Sequence, residues 1–218
     1  MKDFEHARKT MVDTQLRPAN ITDPDLLSVM GSIPRERFVP EDRQSLAYAD
    51  ISHTLSPKGR ALPPAAAFAK LVQLAEITND DVVLDIGSGT GYSTAVLAGL
   101  ASAVVGVEDD AALVEKANTI LADLDIGNAA VLEGELAEGV PSEAPFDAIV
   151  IEGAVDYVPE TLLGQLRDGG RLVAIVTEGS ASTARVFVKS DDGISVRSDF
   201  NATLPRLASM QRQPEFVL

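Results

Sequence analysis

The stretch Val82–Ala98 reads VVLDIGSGTGYSTAVLA and constrains the fold more than any other part of the chain. An almost wholly apolar run, Asp81–Ile86, reads as a strand buried on both faces. Gly91–Leu100 reads as a helix. Between them Gly87, Gly89 and Gly91 stand two apart. Glycine admits positive φ and lets a ligand approach bare main chain. The helix that follows opens with unpaired N–H groups. In open α/β sheets, ligands lie at the carboxyl ends of strands where the strand order reverses. The junction is therefore a ligand site by architecture, although glycines in a turn, taken alone, suit a mere tight turn equally well.

The rest of the chain repeats the alternation. Strands are expected at Ala103–Val107, Ala129–Leu132, Phe146–Ile151 and Arg171–Val176, and helices at Ala111–Asp123 and Pro159–Leu166. Asp168-Gly169-Gly170 reads as a turn into the last of these strands. ARVFVKSDDGISVRSDF reads as a hairpin turning at Asp191-Asp192-Gly193. Ahead of the alternation come a helix near Phe4–Leu16, a second opened by Asp23 as N-cap with Pro24 in its first turn, an irregular PRERFVPEDRQSLAYAD, and an Ala-rich helix from about Pro64 to Glu76. This is an α/β fold: a mostly parallel central sheet with helices on both faces, an antiparallel C-terminal edge hairpin and an N-terminal helical cap. One domain over residues 1–218 is the economical division, with 1–78 as cap and loop and 79–218 as the α/β core. In the closing LPRLASMQRQPEFVL, Pro205, Phe216 and Leu218 point to a docked tail.

Composition narrows the function. The formal net charge is −15, only 5% of residues are aromatic and there is no Trp, so a phosphate backbone is repelled and base stacking is poorly supplied. No nucleic-acid partner is expected. Cysteine is absent, which excludes disulfides, thiolate metal sites and a Cys nucleophile. No metal site is expected. No apolar run reaches membrane-spanning length, and MKDFEHARKT has no apolar leader core; a cytoplasmic setting is expected.

The dinucleotide fingerprint G-x-G-x-x-G would place glycine at position 92, which is Tyr92. That disfavours a hydride-transferring dehydrogenase. The spacing here, with Asp85 leading Gly87-Ser88-Gly89-Thr90-Gly91, resembles motif I of the Rossmann-like class I S-adenosylmethionine methyltransferases. Glu108 ends the next strand about 20 residues on, where an acid can hold both ribose hydroxyls. The resemblance makes S-adenosyl-L-methionine the expected cofactor, with Asp85, Gly87, Ser88, Gly89, Gly91, Glu108 and Asp109 around it. It adds Glu135, with Leu136 beside it, after the third strand, where many methyltransferases carry an acid near the adenine amine. Asp147, at the start of the fourth strand, reads as structural.

The order MVDTQL, VMGSIPRERFVP, LAYAD, LDIGSGTGYSTAVLA and PFDAIVIEGAVDYVPETLLGQLRDGGRLVAIV resembles the protein-L-isoaspartate O-methyltransferases over nearly the whole chain. The resemblance implies methylation of the carboxylate that an isomerised aspartyl residue exposes in damaged protein, so the expected partner is a protein or peptide with an exposed carboxylate. That carboxylate is already ionised at neutral pH. No general base is required, and positioning and desolvation suffice.

The family's G-Q-T-I-S-Q-P segment stands here as Gly59-Arg60-Ala61-Leu62-Pro63-Pro64-Ala65. The family Ser position is Pro63 and the Thr position Ala61, so no catalytic residue is assigned. Arg60, Leu62 and His53 are the candidate acceptor contacts. Arg60 is either a bidentate partner for a carboxylate or a solvated loop residue. His53 either faces the acceptor or is structural, and His6 reads as a partly exposed structural residue. The alternative to repair is a family member that binds S-adenosylmethionine but acts on another acceptor or through a partner protein.

Overall fold

A computed structural model describes residues 3–212. Phe216 and Leu218 of the expected docked tail lie outside these. Seven strands form one sheet in the order β5-β4-β3-β6-β7-β8-β9. They are β3 (Val82–Ile86), β4 (Ala103–Glu108), β5 (Ala129–Glu133), β6 (Phe146–Val155), β7 (Leu166–Glu178), β8 (Ala181–Ser190) and β9 (Gly193–Asn201). The first five run parallel, and β8 and β9 are antiparallel. The expected edge hairpin is present: Ser190 pairs with Gly193 across Asp191-Asp192. The chain leaves β3 outward through β4 and β5, then returns to β6 on the other side of β3. The strand order therefore reverses between β3 and β6, which sets the crevice at their carboxyl ends.

The cover of the sheet is unequal. On one face Val83, Val104, Ala148 and Val150 pack beneath four of the helices and the cap. These are α1 (Phe4–Met11), α2 (Pro24–Ser32), α3 (Ala65–Leu74) and α4 (Tyr92–Ala98), with α5 (Ala111–Asp123) beside them. On the other face Leu84, Ile149 and Ile151 pack in a cluster with the short α6 (Glu160–Gly164), the segment around Leu136, and Leu207 and Met210 of the tail. The described part of the tail docks on the sheet: Ala154 N donates to Pro205 O (2.9 Å) and Leu207 N to Ala154 O (2.9 Å).

Local chemistry sets the element ends. Asp23 caps α2, accepting from Asp25 and Leu26 N–H with Pro24 at the first position, and Asp110 caps α5 by accepting from Ala112. The expected turn at Asp168-Gly169-Gly170 lies inside β7, because pairing with β6 jumps from Leu166 to Arg171 and the intervening residues loop out. Asp147 is structural, as expected: its Oδ2 accepts from Val82 N at 2.7 Å and registers β6 against β3.

Buried contacts of the irregular segment fasten the cap to the core, beside an ion pair of Arg37 with Asp123 of α5. Arg35, fully buried, donates from Nε to Ala47 O (2.9 Å) and from Nη2 to Pro63 O (2.5 Å), and lies over the Tyr92 ring at 4.7 Å. Phe38 meets Tyr92 edge-on at 5.5 Å between centroids. Thr90 Oγ1 donates to Phe38 O. Position 92 is thus the anchor at which the cap, α3 through Phe68 and the glycine turn converge.

Arg35→Met would leave two buried carbonyls without donors, at about 1–3 kcal/mol each. Urea unfolding is expected to show a loss of about 2–4 kcal/mol.

Candidate functional site

The glycine turn is built as its composition demands. Gly87, Gly89 and Gly91 have φ of +81°, +57° and +89°, a region that side-chain-bearing residues rarely adopt. At Gly91 a Cβ would lie 3.0 Å from Ala117 Cβ, so that glycine serves the packing of the turn against α5. At Gly87 and Gly89 the added atom would instead meet Arg60 Nη2 (2.6 Å) and Leu55 Cδ1 (2.7 Å). Both belong to a small hairpin formed by β1 (His53–Thr54) and β2 (Ala61–Leu62).

Glu108 terminates β4 and is fully buried. Its Oε2 accepts from Gly89 N at 2.7 Å and its Oε1 from Asp109 N at 3.0 Å. Arg60 Nε completes the set, at 3.1 and 3.0 Å from the two oxygens, while its Nη2 donates to Gly87 O. Arg60 is only 6% exposed. It is not a solvated loop residue; it is the counter-ion of Glu108.

Two further carboxyls lie in the same crevice. Asp85 Oδ2 accepts from Ser93 Oγ (2.7 Å) and Thr94 Oγ1 (2.6 Å) of α4, whereas its buried Oδ1 has no hydrogen-bond partner among the described residues. Burial pushes its carboxyl up to about 6, against the pull of the two hydroxyls and of Arg60. Glu152 is 4% exposed and its Oε1 likewise lacks a partner among the described residues. Burial and neighbouring Asp85 raise it well above the usual carboxylate range. Burial also raises Glu108, with Arg60 opposing.

The expected cofactor residues converge in part. Asp85, Gly87, Gly89 and Glu108 meet at the crevice. Asp109 and Glu135 line one open pocket of about 360 Å³ with Glu133 and Gly134. Ser88 turns its Oγ back toward Val107 O (3.5 Å). Leu136 packs in the second apolar cluster, so only its main chain is left for a ligand. Of the acceptor candidates, His53 is buried and pairs with Leu62 across the hairpin, and its Nε2 has no partner among the described residues. Burial and the charges of Arg35 and Arg43 lower its pKa, which favours the neutral imidazole. His6 is exposed, with its N–H on Asp3. Arg35, Glu133 and Glu152 escaped sequence reasoning. For Glu152 the one available signal was an acid inside the apolar run AIVIEGAV.

A mostly parallel sheet packed by helices, with a glycine turn after one strand and a buried acid ending its neighbour, defines the Rossmann-like methyltransferase class. The model of the family described as Protein-L-isoaspartate(D-aspartate) O-methyltransferase (PCMT) matches residues 6–204, and the chain belongs to that family. A curated protein-L-isoaspartate O-methyltransferase of Trichlorobacter lovleyi is 39% identical over 193 residues, 88% of each chain. One from Aliivibrio salmonicida is 36% identical over 187 residues, 86% of this chain and 89% of its own. A solved protein-L-isoaspartate O-methyltransferase superposes with a TM-score of 0.82 at 25% identity, over 94% of this chain and 67% of the other. A Plasmodium falciparum chain solved in complex with S-adenosyl-L-homocysteine superposes at 0.80 with 21% identity, over 93% and 98%, and speaks to the fold alone.

Because the folded protein holds a proton on Asp85 that the unfolded chain releases near pH 3.8, stability is expected to fall as pH rises from about 4 to about 6. At ~1.4 kcal/mol per pKa unit the loss is on the order of 3 kcal/mol. Chemical unfolding of Asp85→Asn across that interval should show this fall removed.

Proposed function

We propose that this chain transfers a methyl group to the carboxylate of isoaspartyl residues in damaged proteins, with S-adenosyl-L-methionine as cofactor. The observation that carries the reading is Glu108, a buried carboxylate at the carboxyl end of β4, fixed by the Gly89 and Asp109 N–H groups beside the positive-φ glycine turn. The residues present fit the cofactor. Glu108, with two acceptor oxygens, suits a vicinal diol; Gly87 and Gly89, now covered by Arg60 and Leu55, would allow close approach to the main chain once those side chains moved aside; Asp109, Glu133 and Glu135 would face the purine end. When bound, the cofactor supplies an activated methyl group.

The chain's own residues supply positioning. An ionised acceptor needs no base. Glu108 can satisfy either the Arg60 guanidinium or a diol, since both use the same two oxygens. A diol at Glu108 would therefore release Arg60, whose planar fork suits a carboxylate. We place Arg60 at the acceptor once it is so released, with Leu62 and His53 walling that side from water. The acceptor is a protein or peptide and not a nucleic acid, given the −15 net charge. Among the described residues no helix is long and apolar enough to cross a membrane, and the cysteine-free chain suits a cytoplasmic setting.

S-adenosylhomocysteine is expected to raise the melting temperature of the wild type and to leave that of Gly89→Val unmoved, since valine there meets Leu55 at a positive φ. A shift retained in the variant, or stronger protection of the wild type by NAD, would refute the cofactor assignment. Transfer of radiolabelled methyl to an isoaspartyl peptide, and not to its aspartyl twin, as base-labile label tests the acceptor. No label with intact S-adenosylhomocysteine binding would favour a different acceptor or a partner-dependent role.

A further inference from the structure

Glu152 has a position that ordinary strand geometry would not give it. β6 pairs with β3 up to Ile86–Ile151. Against β7, however, its register shifts between Val150 and Ala154, while β7 advances only from Val173 to Ile175. A bulge therefore carries Glu152 and Gly153 just beyond the last β3 pair, with Glu152 level with Gly87. Bulges next to active sites re-aim a side chain. Gly153 permits this one by making room for the docked tail, since a Cβ there would lie 2.8 Å from Leu207. The re-aimed group is an acid, 4% exposed, with an oxygen that has no partner among the described residues.

The charges around it are unequal. Its charged neighbours are Asp85 from β3, Arg60 from the hairpin and Arg35 from the cap. Arg35 is engaged by Ala47 O and Pro63 O, and Arg60 by Glu108 and Gly87 O. Among the described residues Glu152 forms no salt bridge, Asp85 beside it also has a bare oxygen, and Arg35 keeps an unpartnered Nη1. A carboxylate acceptor brought against two ionised acids would be repelled. The same acceptor brought against a carboxylic acid gains a donor, and a buried acid can be kept neutral for that purpose. Positions 61 and 63 of the hairpin, Ala and Pro, offer no hydroxyl to such an acceptor.

We propose that Glu152 is a specificity-determining residue which, as the carboxylic acid, donates a hydrogen bond to one oxygen of the acceptor carboxylate. The inference rests on the isoaspartyl reading above and names the donor that replaces the missing hydroxyls. The burial of Glu152 and the adjacent Asp85 favour the protonated form. The donor is present below the raised pKa and is lost as pH rises through it.

The test compares the full-length wild type with Glu152→Gln, which keeps a donor but cannot ionise, and with Glu152→Ala, which removes it. kcat/KM for an isoaspartyl peptide is measured from pH 6 to 9, alongside calorimetric affinity for S-adenosylhomocysteine and melting temperature. The wild type is expected to lose about tenfold in kcat/KM toward pH 9, and E152Q is expected to lack that alkaline limb. E152A is expected to raise the peptide KM about tenfold at pH 6.5, with S-adenosylhomocysteine affinity within twofold of wild type. E152Q is close to isosteric, so its pH profile decides the matter even if E152A fails to fold. An alkaline limb unchanged in E152Q overturns the proposal. So does a tenfold loss of S-adenosylhomocysteine affinity in E152Q with an unaltered peptide KM, which would make Glu152 an ionised partner of the cofactor. A wild type that binds S-adenosylhomocysteine but leaves the peptide unlabelled refutes the isoaspartyl reading and this inference together, whereas an active wild type with an indifferent E152Q refutes this inference alone.

Discussion

The buried carboxylate of Glu108 organises everything at the carboxyl end of the sheet. A charge with no exposure to solvent persists only when it is paired and hydrogen-bonded, and each partner Glu108 recruits fixes a different part of the molecule. Gly89 N–H holds the glycine turn, Asp109 N–H holds the approach to α5, and Arg60 draws the β1–β2 hairpin down onto both. The crevice is shaped by one side chain's need for donors. A ligand diol there would exchange with Arg60 instead of filling a void, so cofactor and hairpin are coupled through the same two oxygens.

The cap is joined to this arrangement by a second set of buried contacts. Tyr92 stands where a dinucleotide-binding turn would carry glycine, and its bulk has a structural use. Phe38, Phe68 and the Arg35 guanidinium all close on its ring. Arg35 then reaches Pro63 O at the end of the hairpin. Proline at 63 removes a donor but keeps the carbonyl that Arg35 needs. The family's hydroxyl is therefore absent at a position that still locks cap, hairpin and glycine turn together.

What was legible in the sequence is what depends on neighbours along the chain. The strand–glycine–helix junction, the caps at Asp23 and Asp110, the two-residue turn at Asp191-Asp192 and the acid ending β4 all carry local signatures, and all stand where expected. What was not legible depends on register and long-range pairing. The Asp168-Gly169-Gly170 turn became a loop-out within β7 because pairing resumes on its far side. Helical cover on the second face shrank to α6, because Leu136, Leu207 and Met210 supply apolar surface there without helical periodicity. Arg60 read equally as loop or ligand, because nothing local reveals a partner 48 residues away. Glu152 was hidden for the same reason: a bulge is a relation between strands and leaves no mark in one of them.

The electrostatics of the crevice ties these unforeseen residues into one account. Asp85, Glu108 and Glu152 place three acids near two guanidinium groups, of which Arg60 is paired with Glu108 and Arg35 donates to backbone carbonyls. Were all three ionised, the site would repel an anionic acceptor at close range, where a low effective dielectric magnifies the effect. Burial resolves the conflict by favouring protons on Asp85 and Glu152, while Glu108 keeps the donors that an anion requires. The acids thus divide by environment rather than by type: Glu108, with charged and main-chain donors, anchors a ligand as an anion, and Glu152, whose Oε1 has no partner among the described residues, becomes a donor itself. With Ala and Pro at positions 61 and 63 and a buried acid at 152, the donor to the acceptor is then offered by the bulged strand and not by those two hairpin positions.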